Sequence, residues 1–374
     1  MKKDITRRDF LNGTRVAIGA SLVSPWAEAF GRGADAFSLG PDYYPPSKTG
    51  MRGSHTGAWE TMHARVAGAS WPAGSPEDDV DLVVVGAGIS GLAAAWFYRR
   101  ENPGARILLI DNHDDFGGHA KRNEFTVGKQ TRIAYGGTEA IDTPSSYSSV
   151  ARALLEDISI DLQKFYDYYD QDLYDALGLE YAIAYDSATY GSRRLVRGYG
   201  ARSWEEFAAD TPMSDTAKAD LVRAFNAPTD YLPDMSRDEK IALLSRISYR
   251  SYLEDYVKVD RQVLEMYQRW GMSYWCVGMD EVPAIYILEY SDGGGLPGLA
   301  HTVELEGGRG VEPYIFHFPD GNASIARLLV RALIPAALPG KTMEDSVTAR
   351  VDYGALDGDD GPVRIRLNST VVNA

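Results

Sequence analysis

The stretch Asp81-Leu82-Val83-Val84-Val85-Gly86-Ala87-Gly88-Ile89-Ser90-Gly91 decides the fold. Leu82 to Val85 is a short, β-branched apolar run, the pattern of a parallel strand buried on both faces. Gly86 to Gly91 has the G-x-G-x-x-G spacing, and Leu92-Ala93-Ala94-Ala95-Trp96-Phe97-Tyr98 reads as a helix that Pro103-Gly104 stops. A second strand pattern, Arg106 to Ile110, ends at Asp111. Strand, helix and strand with an acid closing the second strand form a dinucleotide-binding βαβ unit. Gly86 permits the tight turn, Gly88 lets the backbone approach a pyrophosphate, and Gly91 allows close packing of helix on strand. Ala87, Ile89 and Ser90 complete a turn whose backbone N–H groups, at a helix N-terminus, suit phosphates. Asp111 can accept hydrogen bonds from ribose hydroxyls, and its charge disfavours a 2′-phosphate.

Two more glycine pairs follow. Phe116-Gly117-Gly118-His119-Ala120-Lys121-Arg122 lies just past the second strand, where a plain nicotinamide site has no glycine pair. It permits another close backbone approach, with His119, Lys121 and Arg122 placed to reach diphosphate. Tyr135-Gly136-Gly137-Thr138-Glu139 is the third; it reads either as a glycine-rich strand entry or as an ordinary bulge or turn.

The remaining composition narrows the function classes. The 374 residues carry a net charge of -15, which argues against a nucleic-acid binder. No apolar run approaches the length of a membrane span, so stable membrane insertion is not expected. The single cysteine, Cys276, excludes an intrachain disulfide and cysteine-rich metal sites, and no metal site is expected. Cys276 itself reads as a small buried hydrophobe. The chain opens with Lys2, Lys3 and Thr6-Arg7-Arg8-Asp9-Phe10-Leu11, then a mild apolar run from Val16 to Val23 and Ala27-Glu28-Ala29. This order reads as a twin-arginine signal cleaved near Ala29, which predicts export by that machinery to the periplasm.

The organisation follows from these marks: residues 1–29 as signal, 30–79 as an extended arm and 80–150 as the first part of the dinucleotide domain. Residues 151–345 read as a mixed α+β substrate domain interleaved into it. Residues 346–374 read as an incomplete second part, ending in strand patterns at Val363 to Leu367 and Thr370 to Val372. From Val150 to Tyr274 the pattern is helical; glycine breaks from Val277 to Ile315 suggest strands and loops. Asn322 is placed to cap a helix over Ala323 to Ile334, which Pro335 stops. Asp167 and Asp170, with Gln171 and Tyr174, read either as an acidic-aromatic face for a cation or as a solvated helix packing its tyrosines inward. Asp280 and Glu281 beside Trp275 make a weaker face of the same kind. His317 reads as a channel-lining residue, a haem ligand or a hydrogen-bonded structural histidine.

The glycine pair at Gly117-Gly118 resembles the Gly-Gly motif of the flavin amine oxidase and phytoene desaturase superfamily, which binds FAD. This implies an α/β fold of the glutathione-reductase type. His119 stands where that superfamily has arginine. Taken with Thr49-Gly50-Met51-Arg52-Gly53-Ser54-His55, Asp114 to Phe125 and Glu312 to Asn322, the chain resembles the bacterial spermidine dehydrogenase family, exported FAD enzymes that oxidise polyamines. The resemblance implies an enzyme acting on CH–NH bonds, with a small cationic amine as substrate and an unspecified electron acceptor. It places Gly136 and Gly137 beside the isoalloxazine, Glu139 facing substrate and Val372 near the adenine; Glu139 and, from its own aromatic run, His317 are the candidate catalytic residues. It implies a haem b, held non-covalently because no C-x-x-C-H site exists, and a family chain continuing beyond the position of Ala374. Competing readings are an FAD enzyme with another substrate, or a flavin-free periplasmic binding protein.

Overall fold

The computed structural model describes residues 43–48, 58–72, 74–226, 229–289, 312–359 and 361–373. The expected signal, the Thr49 to His55 motif and the glycine breaks at 293–308 lie outside the described residues. In chain order the principal elements are helix α1 (Ala58–Val66), strand β1 (Leu82–Val85), α2 (Ile89–Glu101), β2 (Ile107–Ile110), β3 (Arg122–Val127) and β4 (Gln130–Tyr135). Then come α3 (Ser149–Asp157), α4 (Gln163–Tyr168), β5 (Ala182–Tyr185), β6 (Arg194–Arg197), α5 (Trp204–Asp210) and α6 (Asp215–Asn226). The chain closes with α7 (Arg237–Leu244), α8 (Arg261–Tyr267), α9 (Ala284–Glu289), α10 (Ala323–Leu333), α11 (Met343–Thr348) and β7 (Val363–Arg366).

The first three parallel-sheet elements follow the sequence pattern. β1 pairs in parallel with β2, Leu82 opposite Ile107, and β2 pairs in parallel with β7, Ile107 opposite Val363. The order β1-β2-β7 places the βαβ unit and the late strand in one sheet. The central strand β2 and the late strand β7 are each buried through their first three residues. Contrary to the expected two-sided burial, Val83 and Val85 of β1 are 50% and 64% exposed. β3 and β4 form a separate antiparallel hairpin.

Two hydrophobic cores result. The first joins Leu92 and Ala95 of α2, Ile107 and Leu109 of β2, α10, and Val363 and Ile365 of β7. It also takes in Leu155 to Phe165 and Ile315 to Met343, stretches that the sequence pattern assigned to a substrate domain. α10 is buried on nearly every side, including at Ser324 and Arg327. Its one buried cation, Arg327, donates to the carbonyls of Ser346 and Ala349, which satisfies a guanidinium that burial would otherwise make costly. The second core runs from Tyr185 to Ile287 and gathers Phe207, Leu221, Leu244, Tyr249, Tyr252 and Tyr267. Its helices carry side-chain caps where the sequence offers them: Ser203 accepts from Glu206 N, and Ser236 with Glu239 makes a full capping box.

Four local expectations change. The arm is not extended throughout, because α1 forms in it. A hairpin, β5 with β6, interrupts the region of helical pattern. The stretch expected as strands and loops after Val277 contains helix α9. Thr370 to Val372 follow β7 without regular structure, because Asn368 takes a left-handed turn and Ser369 N–H bonds the Asp111 carbonyl, which ends the strand. Among the described residues, no helix is long and apolar enough to cross a membrane.

Candidate functional site

The three glycine turns form one ridge. Gly86 has φ +97°, and a Cβ there would meet open space. At Gly91 a Cβ would sit 2.0 Å from the Gly86 carbonyl oxygen, so only glycine lets α2 start against β1. The Gly117 N–H donates to the Ala87 carbonyl at 2.8 Å, and Gly88 and Gly117 pair as an isolated parallel bridge. A Cβ on Gly118, whose φ is +60°, would lie 3.2 Å from Gly88 Cα. The third pair joins the second: Gly136 N–H donates to the Lys121 carbonyl at 2.8 Å and Gly137 N–H to the His119 carbonyl at 3.0 Å. A Cβ on Gly137 would fall 2.9 Å from His119 Nδ1, so the His119 ring lies over that glycine. Gly136 and Gly137 leave β4 rather than enter a strand, so of the two sequence readings the strand entry fails and the turn stands.

Asp111 sits at the end of β2 and is buried. Its Oδ2 accepts from Ala87 N–H at 2.7 Å and its Oδ1 from His113 N–H at 2.8 Å. The carboxylate therefore stitches the glycine turn to the end of β2, and each oxygen keeps a second lone pair for a ribose hydroxyl. Gly86 and Asp111 open onto a cavity of about 470 Å³, which Val372 also lines. Lys121 Nζ is buried with no hydrogen-bond partner among the described residues, an orphaned cation beside the second glycine pair. Arg122, by contrast, is not available to a diphosphate. It donates to Asp320 at 2.8 Å and to Glu124 at 2.7 Å, and is nearly fully buried. Ser324 Oγ bonds the other Asp320 oxygen, and Tyr44 donates to Glu124. Burial works against the Arg122 charge, but Asp320 and Glu124 outweigh it and hold the guanidinium above its ordinary range. This network joins the Asp114 to Phe125 and Glu312 to Asn322 stretches, far apart in sequence.

The ridge leads on to the candidate catalytic residues. Gly321, with φ +59°, packs on Thr138 and Glu139, where a Cβ would come 2.4 Å from the Thr138 carbonyl oxygen. Glu139 accepts from the Tyr314 hydroxyl at 3.1 Å. Tyr314 also tilts over His317, ring centroids 5.6 Å apart, and the Tyr169 hydroxyl lies 2.5 Å from the His317 ring nitrogens. Burial lowers the His317 pKa, only partly offset by the Glu139 charge, so the ring is neutral at pH 7. Burial and the Glu139 contact push the Tyr314 phenol up to about 12. His317 lines a second cavity of about 560 Å³ with Phe165, Tyr168, Tyr169, Phe318 and Glu344. Lys164 and Tyr168 both donate to Glu344 Oε1, and hold that carboxyl down to about 2. Such walls suit a flat or cationic group.

Several expected residues lie elsewhere. α4 ends at Tyr168, so Asp167, Asp170, Gln171 and Tyr174 share no helical face; all four are exposed, and Tyr166, Tyr168 and Tyr174 are exposed too rather than packed inward, so neither reading of one continuous helix holds. Asp280 is exposed and accepts from Gln268. Cys276 is exposed rather than buried, because it takes the left-handed position that ends a short helical turn. Asn322 occupies the N-cap of α10 without capping it; its amide donates instead to the Ala140 carbonyl. The sequence reading missed Lys164 and also Glu344, whose only local mark is the Thr342 to Asp345 capping box. It also missed α1, although Trp59, Met62 and Val66 stand at helical spacing.

These residues fit a dinucleotide: an open turn at Gly86, a buried unpartnered Lys121 Nζ, the α2 N-terminus at uncapped Gly88, and Asp111 at a cavity floor. Residues 84–158 match the NAD(P)-binding Rossmann-like domain family. No curated protein matches the chain. Among solved structures, a putrescine oxidase double mutant with redesigned cofactor binding is 17% identical, covers 77% of this chain and 51% of its own, and has a TM-score of 0.36. Wild-type putrescine oxidase bound to putrescine is 18% identical over 68% and 49%, with a TM-score of 0.33. A protein described as a protoporphyrinogen oxidase, from Exiguobacterium sp. 255-15, is 17% identical over 77% and 52%, with a TM-score of 0.36. The chain thus spans about half the length of these structures.

Proposed function

We propose that this chain is the dinucleotide-holding part of an exported FAD-dependent oxidoreductase that oxidises the C–N bond of a polyamine. The observation that carries this reading is the ridge of three glycine turns. It runs without a break from the βαβ turn at Gly86 to the Glu139, Tyr314 and His317 group. A plain nicotinamide domain needs only the first turn; a longer cofactor, bridging adenosine and a redox ring, uses all three.

FAD, when bound, supplies the two-electron sink for C–N oxidation. Gly86 to Gly91, Lys121 and Asp111 would hold its pyrophosphate and ribose, and Gly136 and Gly137 would allow its ring system close to the backbone. The chain's own side chains then prepare the amine. Phe165, Tyr168, Tyr169 and Phe318 offer aromatic faces to its cationic nitrogens. Glu344 Oε1 already carries Lys164 and Tyr168, which leaves Oε2 as the acceptor for a distal ammonium. His317, kept neutral by burial, can take at a ring nitrogen the proton that the reacting ammonium must lose before oxidation. Imine product hydrolyses in water to an aldehyde and a smaller amine. Export by the twin-arginine route to the periplasm rests on the Arg7-Arg8 leader, and a folded, cofactor-loaded protein suits that route.

An absorption spectrum of the purified protein tests the reading. Flavin bands that bleach when spermidine is added without oxygen are the expected result, and a Soret band would add the haem b that the resemblance implies. Protein that binds spermidine but holds no flavin would replace the enzyme with a binding protein.

A further inference from the structure

The arm before the βαβ unit has no part in the reading above, yet it walls the cavity over the carboxyl ends of β1 and β2. One side of that cavity is Gly86, Ile110, Asp111 and the segment Ser369 to Val372; the other is Thr61, Met62, Arg65, Val66 and Trp71. Ser369 N–H bonds the Asp111 carbonyl at 2.9 Å, which fixes the inner wall to the sheet. The apolar members of the outer wall include uncovered ones: Met62 and Val66 of α1 are 59% and 85% exposed. An amphipathic helix normally turns such residues inward. Here they meet a cavity whose volume suits a small-molecule group. The floor, Asp111, is polar and charged, with lone pairs to spare beyond its two backbone donors.

We propose that residues 58–71 form the outer half of the adenosine site, with Trp71, Met62 and Val66 covering the adenine ring and Asp111 taking the ribose hydroxyls. A flat heteroaromatic base with a ribose matches this division of apolar wall and carboxylate floor. The arm residues are therefore positioning residues for the cofactor's adenosine end and lie away from the reacting end. This inference rests on the dinucleotide reading.

Limited trypsin digestion of the full chain, followed at the Arg65–Val66 bond by mass spectrometry, reads the arm directly. FAD should slow that cut about tenfold while FMN, which lacks the adenosine half, leaves it unchanged. Fluorescence titration should show FAD binding weakened about tenfold by Trp71→Ala, the scale of one lost base–aromatic stack. Trp71 belongs to neither hydrophobic core, so the variant should fold. FAD bound equally by wild type and Trp71→Ala, with the Arg65 cut unaffected, would overturn the arm's role and leave the dinucleotide reading standing. Equal protection by FMN would also overturn it. Wild-type protein that binds no FAD would overturn both.

Discussion

Tyr353 under the parallel sheet and Tyr252 in the helical core are both almost wholly buried. The Tyr353 hydroxyl donates to Asp115 at 2.6 Å, and the Phe116, Tyr43 and Tyr44 rings surround it. The Tyr252 hydroxyl has no hydrogen-bond partner among the described residues, while its ring stacks on Tyr256. The first core thus spends its polar groups on fixing one geometry: glycine turns in backbone contact, Asp111 tied to Ala87, and Arg122 tied to Asp320. The second core is held by apolar and aromatic area, with polar atoms tolerated. Such a division is expected where one region must present a ligand site to within fractions of an ångström and the other need only support it.

Changes that break the first core's geometry should therefore cost most. Asp320→Ala removes the fully buried carboxylate that Arg122 donates to and weakens the field around buried Arg327. A loss of about 3–5 kcal/mol in urea unfolding is expected, with loss of dinucleotide binding. Leu244→Ala removes a fully buried side chain from the second core. It should cost about 2–5 kcal/mol in the same experiment yet leave FAD affinity unchanged among folded molecules. Tyr353→Phe leaves buried Asp115 without its hydroxyl donor, an expected cost of about 1.5–3 kcal/mol. Tyr252→Phe is the mirror experiment: stability should stay level or rise, because an unpartnered hydroxyl leaves the core.

Smaller effects separate the two titrating groups of the second cavity. Glu344 is held to about 2 by Lys164 and Tyr168, against an ordinary value of 4.5. A depressed carboxyl stabilises above its unfolded value, so this contribution should fade as pH falls from about 4.5 toward 2. Since the pair is more than a third exposed, Glu344→Gln should cost under about 1 kcal/mol at pH 7. His317 has the opposite charge type: burial lowers its pKa, so the folded state resists protonation and stability falls as pH drops through the unfolded value of about 6.5. His317→Gln should abolish that slope in an acid unfolding series.

The contrast also explains what could be read from the residues. Gly86 to Gly91 and Asp111 were legible because backbone approach and helix entry need glycine at fixed spacing, whatever packs around them. Gly117, Gly118, Gly136 and Gly137 were legible as glycine pairs, but their contact with one another depends on β3 and β4 folding back. The Arg122 to Asp320 bond was hidden because no local pattern links residues so distant in sequence. In the second core, β5 and β6 carry only four residues each, too few for alternation to stand out from helical neighbours. Cys276 was misread because its residue type favours burial, whereas its left-handed backbone position sets its exposure.

The central claim is that the glycine ridge holds FAD, and Gly118 tests it most directly. Its φ is +60° and a Cβ there would stand 3.2 Å from Gly88 Cα, so Gly118→Val forces the first two turns apart. Equilibrium titration of FAD by fluorescence quenching, with circular dichroism to verify folding, gives the answer. Saturable binding to the wild type, weakened at least about tenfold in a folded Gly118→Val variant, is the predicted result. Equal affinity in the two proteins, or no FAD binding by the wild type, would contradict the account.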